Sequence, residues 1–317
     1  MMKRPLFIDC DPGHDDMMAI MLAVAHPEVD LLGITTVAGN QTGDRTFENA
    51  RRILAFIGAE DVPVARGADV PLCRDLVTAP KFHGKSGLDG AELPEATVDP
   101  WNGTAVDLMA RRILGHDGPV TLVPTGPLTN VALALRTYPE LHDSIERIVL
   151  MGGGVHDSNT TPAAEFNIYV DPEAAAAVFS SGIPITMVGL DATNRAVLDF
   201  DQINRLEHSA GPVSRVVGAL MRFFAGANVE LFNIQGAPIH DALAVAVAVT
   251  PDIVTGGEFH VAVETQGDLT RGATVVDLYG VTGNEPNARV ALGVDRPRFV
   301  AMMEDALAEL DRRYRLR

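Results

Sequence analysis

Short apolar, β-branched runs alternate with helix-like stretches through most of this chain, and that alternation restricts the folds open to it more than any other feature. Residues 6–8, 31–37, 120–123, 148–151 and 185–188 have the length and uniform apolarity of strands buried on both faces. Between them lie helical stretches at 16–25, 45–57, 105–114, 130–136 and 172–180. The last of these opens with Pro172 behind Asp171, a cap followed by a proline. The pattern predicts an open, Rossmann-like α/β fold, with a mainly parallel central sheet flanked by helices. In such sheets ligands bind beyond the carboxyl ends of the strands, so the active site is expected there.

After Asp201 the pattern changes. Helices are expected at 213–225 and 239–249, an antiparallel hairpin from 259–263 and 274–279, an edge strand at 289–292 and a closing helix at 296–316. No internal repeat, low-complexity tract or linker interrupts the chain, so residues 1–317 are expected to form a single domain. The stretch 69–100, rich in Gly, Pro and charge, reads as a long functional loop.

Each expected strand ends in a polar or glycine-rich cluster. Behind the first stand Asp9, Asp11, Asp15 and Asp16, four acids within eight residues. Two carboxylates about 4 Å apart repel by roughly 4 kcal/mol at an effective dielectric near 20. Such a group needs a cation, hydrogen-bond donors or raised pKa values. Dense hard oxygen ligands favour calcium or magnesium over zinc. The next strand ends are Ala38-Gly39-Asn40, Pro124 to Asn130, and Met151-Gly152-Gly153-Gly154.

Several other readings fail on spacing. A calcium loop of the EF-hand type starting at Asp9 would place His14 and Ile20 where Gly and Glu are required. An aspartyl-nucleophile phosphatase lacks its usual threonine, Gly13 standing in that place. The run Gly152-Gly153-Gly154 does not match a dinucleotide fingerprint and reads instead as a tight turn near a ligand. Thr129 and Asn130 read as helix caps. Glu165 and Asn167, two apart, share a direction if that segment is extended. His240-Asp241 opens an apolar helix, where an aspartate is ordinarily a cap or dipole partner and a histidine is the usual proton donor near neutral pH.

The formal charge of −17 excludes a basic nucleic-acid surface. Cys10 and Cys73 make no disulfide framework, which fits a reducing cytoplasm. The run between Pro5 and Asp9 is too short for a signal-peptide core, and the most apolar stretch, 242–249, is of buried-helix length; no membrane association is expected.

Taken together, these motifs resemble the inosine–uridine-preferring nucleoside hydrolases. The resemblance rests on DCDPGHDD at 9–16, ITTVAGN at 34–40, HGKSG at 83–87 and LVPTGPLTN at 122–130. It continues with LMGGG at 150–154, AEFNIYVDPEAA at 164–175 and HDALAVA at 240–246, in the family's order and spacing. It implies a homo-oligomeric calcium enzyme, tetramer or dimer, that cleaves the N-glycosidic bond of ribonucleosides to base and ribose by direct attack of a metal-bound water. By motif position, calcium would be held by Asp11, Asp16, the main-chain oxygen of Thr125, and Asp241. Asp15, Asn40, Glu165 and Asn167 would hold the sugar, with Asn159 and the backbone of Met151. His83 would reach the nucleoside when its loop closes, and Asp9 would support the ligating carboxylates from behind. Asp11 is the expected general base and His240 is placed to protonate the departing base.

Around the base pocket the chain departs from the best-understood members. Asn228 and Phe232 lie on the helical stretch where base contacts are expected, and Phe232 cannot donate a proton. The approach Gly236-Ala237-Pro238 to His240 is similar to the pyrimidine-preferring branch, so uridine and cytidine are expected ahead of inosine. The competing functions are a magnesium-dependent phosphatase-like hydrolase and a non-catalytic nucleoside- or ribose-binding protein. The latter has no use for a base such as Asp11.

Overall fold

The computed structural model describes residues 3–316; Met1, Met2 and Arg317, the ends of the expected 1–317 span, lie outside the described residues. Eleven strands are described. They are β1 (Arg4–Cys10), β2 (Val29–Thr36), β3 (Val64–Arg66), β4 (Val120–Pro124), β5 (Ile145–Met151) and β6 (Ile185–Val188), followed by β7 (Val197–Leu198), β8 (Ala237–Pro238), β9 (Val254–Val263), β10 (Thr274–Asp277) and β11 (Ala288–Val294). The helices of the first half are α1 (His14–Ala25), α2 (Gly43–Ile57), α3 (Pro80–His83), α4 (Ala105–Leu114), α5 (Thr129–Thr137) and α6 (Leu141–Ser144). Those of the second half are α7 (Phe166–Val170), α8 (Pro172–Phe179), α9 (Leu190–Thr193), α10 (Phe200–Glu207), α11 (Pro212–Phe232), α12 (His240–Val249) and α13 (Arg296–Tyr314).

Nine strands form one sheet in the order β10-β9-β11-β6-β5-β4-β1-β2-β3, and β7 pairs with β8 apart from it. From β11 to β3 every pairing is parallel; β9 runs antiparallel to both its neighbours, β11 and β10. The expected α/β architecture is therefore present. One expectation is corrected: the strand at 289–292 is not an edge but lies inside the sheet, parallel to β6 and antiparallel to β9. Ala288, Val290 and Ala291 are buried along it, and the edges fall to the short β3 and β10.

The strands are apolar on both faces because each face carries its own core. Along β1, Leu6, Ile8 and Cys10 join a cluster with α1, α2, α11, α12 and α13, while Phe7 joins the opposite cluster with α4, α5 and α8. Along β5, Val149 and Met151 take the first side, Ile148 and Leu150 the second. This period of two is the pleat itself. Burying one such side chain contributes about 1.5–3 kcal/mol, so both faces are held firmly.

Helix ends follow their local chemistry. The Asp171 carboxylate accepts from the Ala174 N–H at 3.0 Å behind Pro172, as expected for α8. Helix α11 runs past the expected end at 225 to Phe232, which carries Asn228 and Phe232 on one continuous rod. The sheet reverses its direction of growth between β1 and β4, since β2 and β3 lie to one side of β1 and β4, β5 and β6 to the other. That reversal opens a crevice beyond the strand ends.

Candidate functional site

The crevice between β1 and β4 opens into a cavity. Its walls include Asp15, Asn40, His83, Thr125, Met151, Asn159, Glu165, Asn167, Asn228, Phe232, His240 and Asp241, every one of them singled out from the sequence. Ala79, Phe82, Thr160, Phe166 and Phe224 complete the lining, and sequence reasoning missed them. Isolated side chains in loops and on helices carry no period that marks them as facing a ligand. Only the folding of α3, α7, α11 and the loop before α7 over the strand ends reveals them.

The floor is acidic. Asp15, Asp16 and Asp241 each offer a carboxylate oxygen within 4.8 Å of the others, all three buried. Asp15 and Asp16 come from the first turn of α1, Asp241 from the first turn of α12, and these two helices pack side by side. Asp16 also starts its own helix: its carboxylate accepts from the Gly13 N–H at 2.9 Å and the Asp11 N–H at 3.3 Å. The Thr125 hydroxyl donates to it at 3.0 Å.

Asp11 stands beside this trio. One of its oxygens accepts from the Asn40 N–H at 2.6 Å, while the other, Oδ1, is buried with no hydrogen-bond partner. The carboxylate fits between two strand-end glycines. A Cβ on Gly39 would lie 2.1 Å from Oδ2, and one on Gly126 2.6 Å from Oδ1. An orphaned carboxylate oxygen next to three clustered acids is the donor set a divalent cation satisfies.

Burial raises these carboxyl pKa values. Desolvation lifts Asp15 to about 8, with the Asp16 charge adding to it, and pushes Asp16 upward as well. Asp11 and Asp241 are held well above the ordinary range for the same first reason. Glu165 rises to about 7 by burial, although the N–H groups of Asn167, Gly153 and Ile168 pull the other way. A cation would reverse this balance by favouring the charged forms.

The residues expected to hold a sugar ring the cavity above the floor. Glu165 and Asn167 do not lie on an extended segment; Glu165 caps the short helix α7, and Asn167 sits in its first turn. The Asn167 amide donates to the main-chain oxygens of Thr125 at 2.8 Å and Met151 at 3.2 Å. The Asn159 side-chain oxygen accepts from the Phe166 N–H at 2.9 Å.

Thr129 and Asn130 are not helix caps, which corrects the local reading. The Thr129 hydroxyl donates to Asp171 at 2.6 Å. The Asn130 amide donates to Asp9 at 2.8 Å and to the Thr36 carbonyl at 3.0 Å, while its oxygen accepts from the Ala68 N–H. Long-range acceptors outcompete the helix end, because the residues brought beside β1 are buried and must be satisfied. Asp9, lifted to about 7 by burial, is braced by Asn130 and by the Thr35 hydroxyl at 2.6 Å. Its main-chain oxygen accepts from the Thr125 N–H at 2.8 Å, so it supports the floor through the backbone.

The roof is aromatic. Phe82 stacks on Phe232 with ring centres 5.5 Å apart, and His83 on Phe224 at 5.2 Å. His83 is buried on the short helix α3 and is not an exposed loop histidine. The His240 ring is anchored through Nδ1 to the Thr193 hydroxyl at 2.8 Å, and its seclusion lowers its pKa to about 4. Asn228 is buried, its amide donating back to the Phe224 carbonyl at 2.9 Å. No described helix is long and apolar enough to cross a membrane.

Known proteins resemble this chain in sequence and fold. The family model described as inosine-uridine preferring nucleoside hydrolase matches residues 6–301. A pyrimidine-specific ribonucleoside hydrolase, RihA, of Escherichia coli O81 is 51% identical over 307 residues, covering 96% of this chain and 99% of the relative. RihA of Citrobacter koseri is 51% identical over 308 residues, covering 97% and 99%. Among solved structures, a purine-preferring ribonucleoside hydrolase from Gardnerella vaginalis superposes with a TM-score of 0.91 at 33% identity, covering 97% of this chain and 99% of its own.

Proposed function

This chain belongs to the inosine–uridine preferring nucleoside hydrolase family, a ribonucleoside hydrolase acting on N-glycosyl bonds, and from that premise we propose that it is a calcium enzyme preferring pyrimidine ribonucleosides. The observation that carries the reading is the polarity of this cavity, with clustered carboxylates at the floor and aromatic rings with two imidazoles at the roof. A ribose fits the first chemistry and a base the second. Asp11, Asp16, Asp241 and the Thr125 main-chain oxygen would hold the ion. A calcium ion held there would supply a positive charge to orient the sugar hydroxyls and a Lewis acid to activate water.

The protein's own groups divide the remaining work. Asp11, with one oxygen pinned by Asn40 and the other without a partner, takes the proton of the attacking water. Asp15, Asn40, Glu165 and Asn167 orient the sugar, with Asn159 and Met151 at its far side. As the bond to the base lengthens, positive charge builds at the ring oxygen and anomeric carbon, and the surrounding carboxylates stabilise it. His240 faces the departing base from the roof with His83, and Asn228 and Phe232 bound the base. The 51% identical relatives named pyrimidine-specific support the base preference, as does Phe232, which offers a purine no acid. We further read residues 1–317 as one domain of a cytoplasmic homo-oligomer.

Steady-state kcat/KM for uridine, cytidine, inosine and adenosine, following reducing sugar, tests the proposal with and without chelation. Pyrimidine turnover that is lost on chelation and restored by calcium is expected. Full activity in a verified metal-free sample would refute the calcium assignment. An inosine value about tenfold above uridine, roughly 1.4 kcal/mol, would overturn the base preference. Deoxyuridine should be worse than uridine by about 10²–10⁴, because it leaves buried polar groups unpaired; equal efficiency would sink the sugar model.

A further inference from the structure

The acid-rich segment holds a histidine, at the first position of α1, to which the mechanism above gives no task. His14 is fully buried and does not line the cavity, yet it sits between Gly13 and Asp15. Its Nε2 meets the Asp89 carbonyl at 2.8 Å, and its ring stacks on Phe224 at 5.3 Å and on Phe223 at 5.5 Å. On its open side it faces His83. The His14 N–H donates to His83 Nδ1 at 3.3 Å, the two Nδ1 atoms lie 3.2 Å apart, and the rings stack with centres 5.4 Å apart. Gly13 completes the fit by having no side chain. A Cβ there would lie 2.5 Å from His83 Nδ1 and 2.7 Å from Cε1.

We propose that Gly13 and His14 form a seat that positions His83 over the base, so that the metal-site loop also sets the geometry of the leaving-group end. His83 belongs to a four-residue helix in a long irregular stretch, which by itself gives its ring no defined direction. Held through Nδ1, the ring has Nε2 alone for the substrate. His14 is thus a positioning residue acting through His83, and Gly13 supplies the space. This rests on the nucleoside hydrolase reading of the cavity.

The test uses two substrates and one spectroscopic readout. Uridine needs help at its leaving base, whereas p-nitrophenyl riboside expels a stable phenolate. His14→Phe keeps the stacking and the backbone N–H bond to His83 Nδ1, and removes the ring-nitrogen contacts to His83 and to the Asp89 carbonyl. It should lower kcat/KM for uridine by about tenfold or more and leave the nitrophenyl riboside within about threefold. His83→Ala should show the same split, and the double variant should be no worse than the single ones. Gly13→Ala, which displaces His83 from the other side, should reproduce the pattern should His14→Phe fail to fold. Equal losses on both substrates, additive losses, or unchanged uridine turnover would each overturn the seat. In ¹⁵N-histidine spectra, the His83 ring nitrogens should shift in His14→Phe, and an unmoved His83 signal would likewise refute it. If the unaltered protein hydrolyses neither riboside, the functional reading fails, while the spectra still decide the seat.

Discussion

Asp11 concentrates the residue-scale argument. Its carboxylate is buried, squeezed between two glycines and half-satisfied, a costly state for a side chain with no task. Asp11→Asn should therefore preserve the fold and lower turnover by about two to four orders of magnitude through loss of the proton acceptor. Parallel calorimetry for calcium separates weakened binding from lost chemistry; near-normal turnover with calcium bound would remove Asp11 from the mechanism. Asn130 is the structural counterpart. It joins Asp9 on β1, Thr36 at the end of β2 and the backbone at Ala68. Asn130→Ala removes three bonds at once, leaving Thr35 alone on Asp9, at a cost of about 2–4 kcal/mol in denaturant unfolding. A loss below 0.5 kcal/mol, the range of an ordinary exposed site, would contradict the bracing role.

At the scale of elements, α12 links core to site. Its residues from Asp241 to Val249 are all buried, and its first turn delivers Asp241 to the acidic floor while its flank packs on α1, which delivers Asp15 and Asp16. Leu243→Ala opens a cavity in that packing and should cost about 2–5 kcal/mol. Calcium affinity should fall with it, because the two helices no longer hold their acids in register; titration of the folded variant with unchanged affinity would show that the floor is set by the loops alone. The roof is assembled differently. Helices α3 and α11 approach from distant parts of the chain and meet through Phe82 and Phe232, the latter still 40% exposed. Such a contact parts more cheaply than the core, which suits a site that must admit and release its ligand.

For the whole molecule, the buried acids make stability depend on pH and cation together. Asp15 at about 8 and Asp9 and Glu165 at about 7 bind protons more tightly folded than unfolded, where Asp stands at 3.8 and Glu at 4.5. Their contribution is thus complete below the unfolded values and is lost as pH climbs through the folded ones, so the metal-free protein should weaken between pH 4 and about 8. Calcium, bound as proposed, would take over from the protons. Its increment in melting temperature should be larger at pH 8 than at pH 5, as followed by scanning calorimetry in chelator and in calcium. An increment independent of pH would argue that the ion does not bind these carboxylates.

The sequence by itself determined the layers and singled out most of the residues that line the cavity. Pleat and helix periods are local consequences of burial, so uniformly apolar runs separated by capped helices specified a parallel sheet covered on both sides. Acids with no folding benefit, such as Asp11 and Asp15, marked the ligand end of that sheet. What only the tertiary structure decided depends on partners far apart in the chain. The strand at Ala288–Val294 is interior because β9 and β10 fold back beside it, and an apolar strand reads the same at an edge or inside. Thr129 and Asn130 look like caps in isolation, yet they turn to Asp171 and Asp9 because buried acceptors there have stronger claims. Phe82, Phe224 and the His14–His83 contact belong to no period or motif. Their meeting is a property of packed surfaces, and it becomes visible only once helices and loops close over the strand ends.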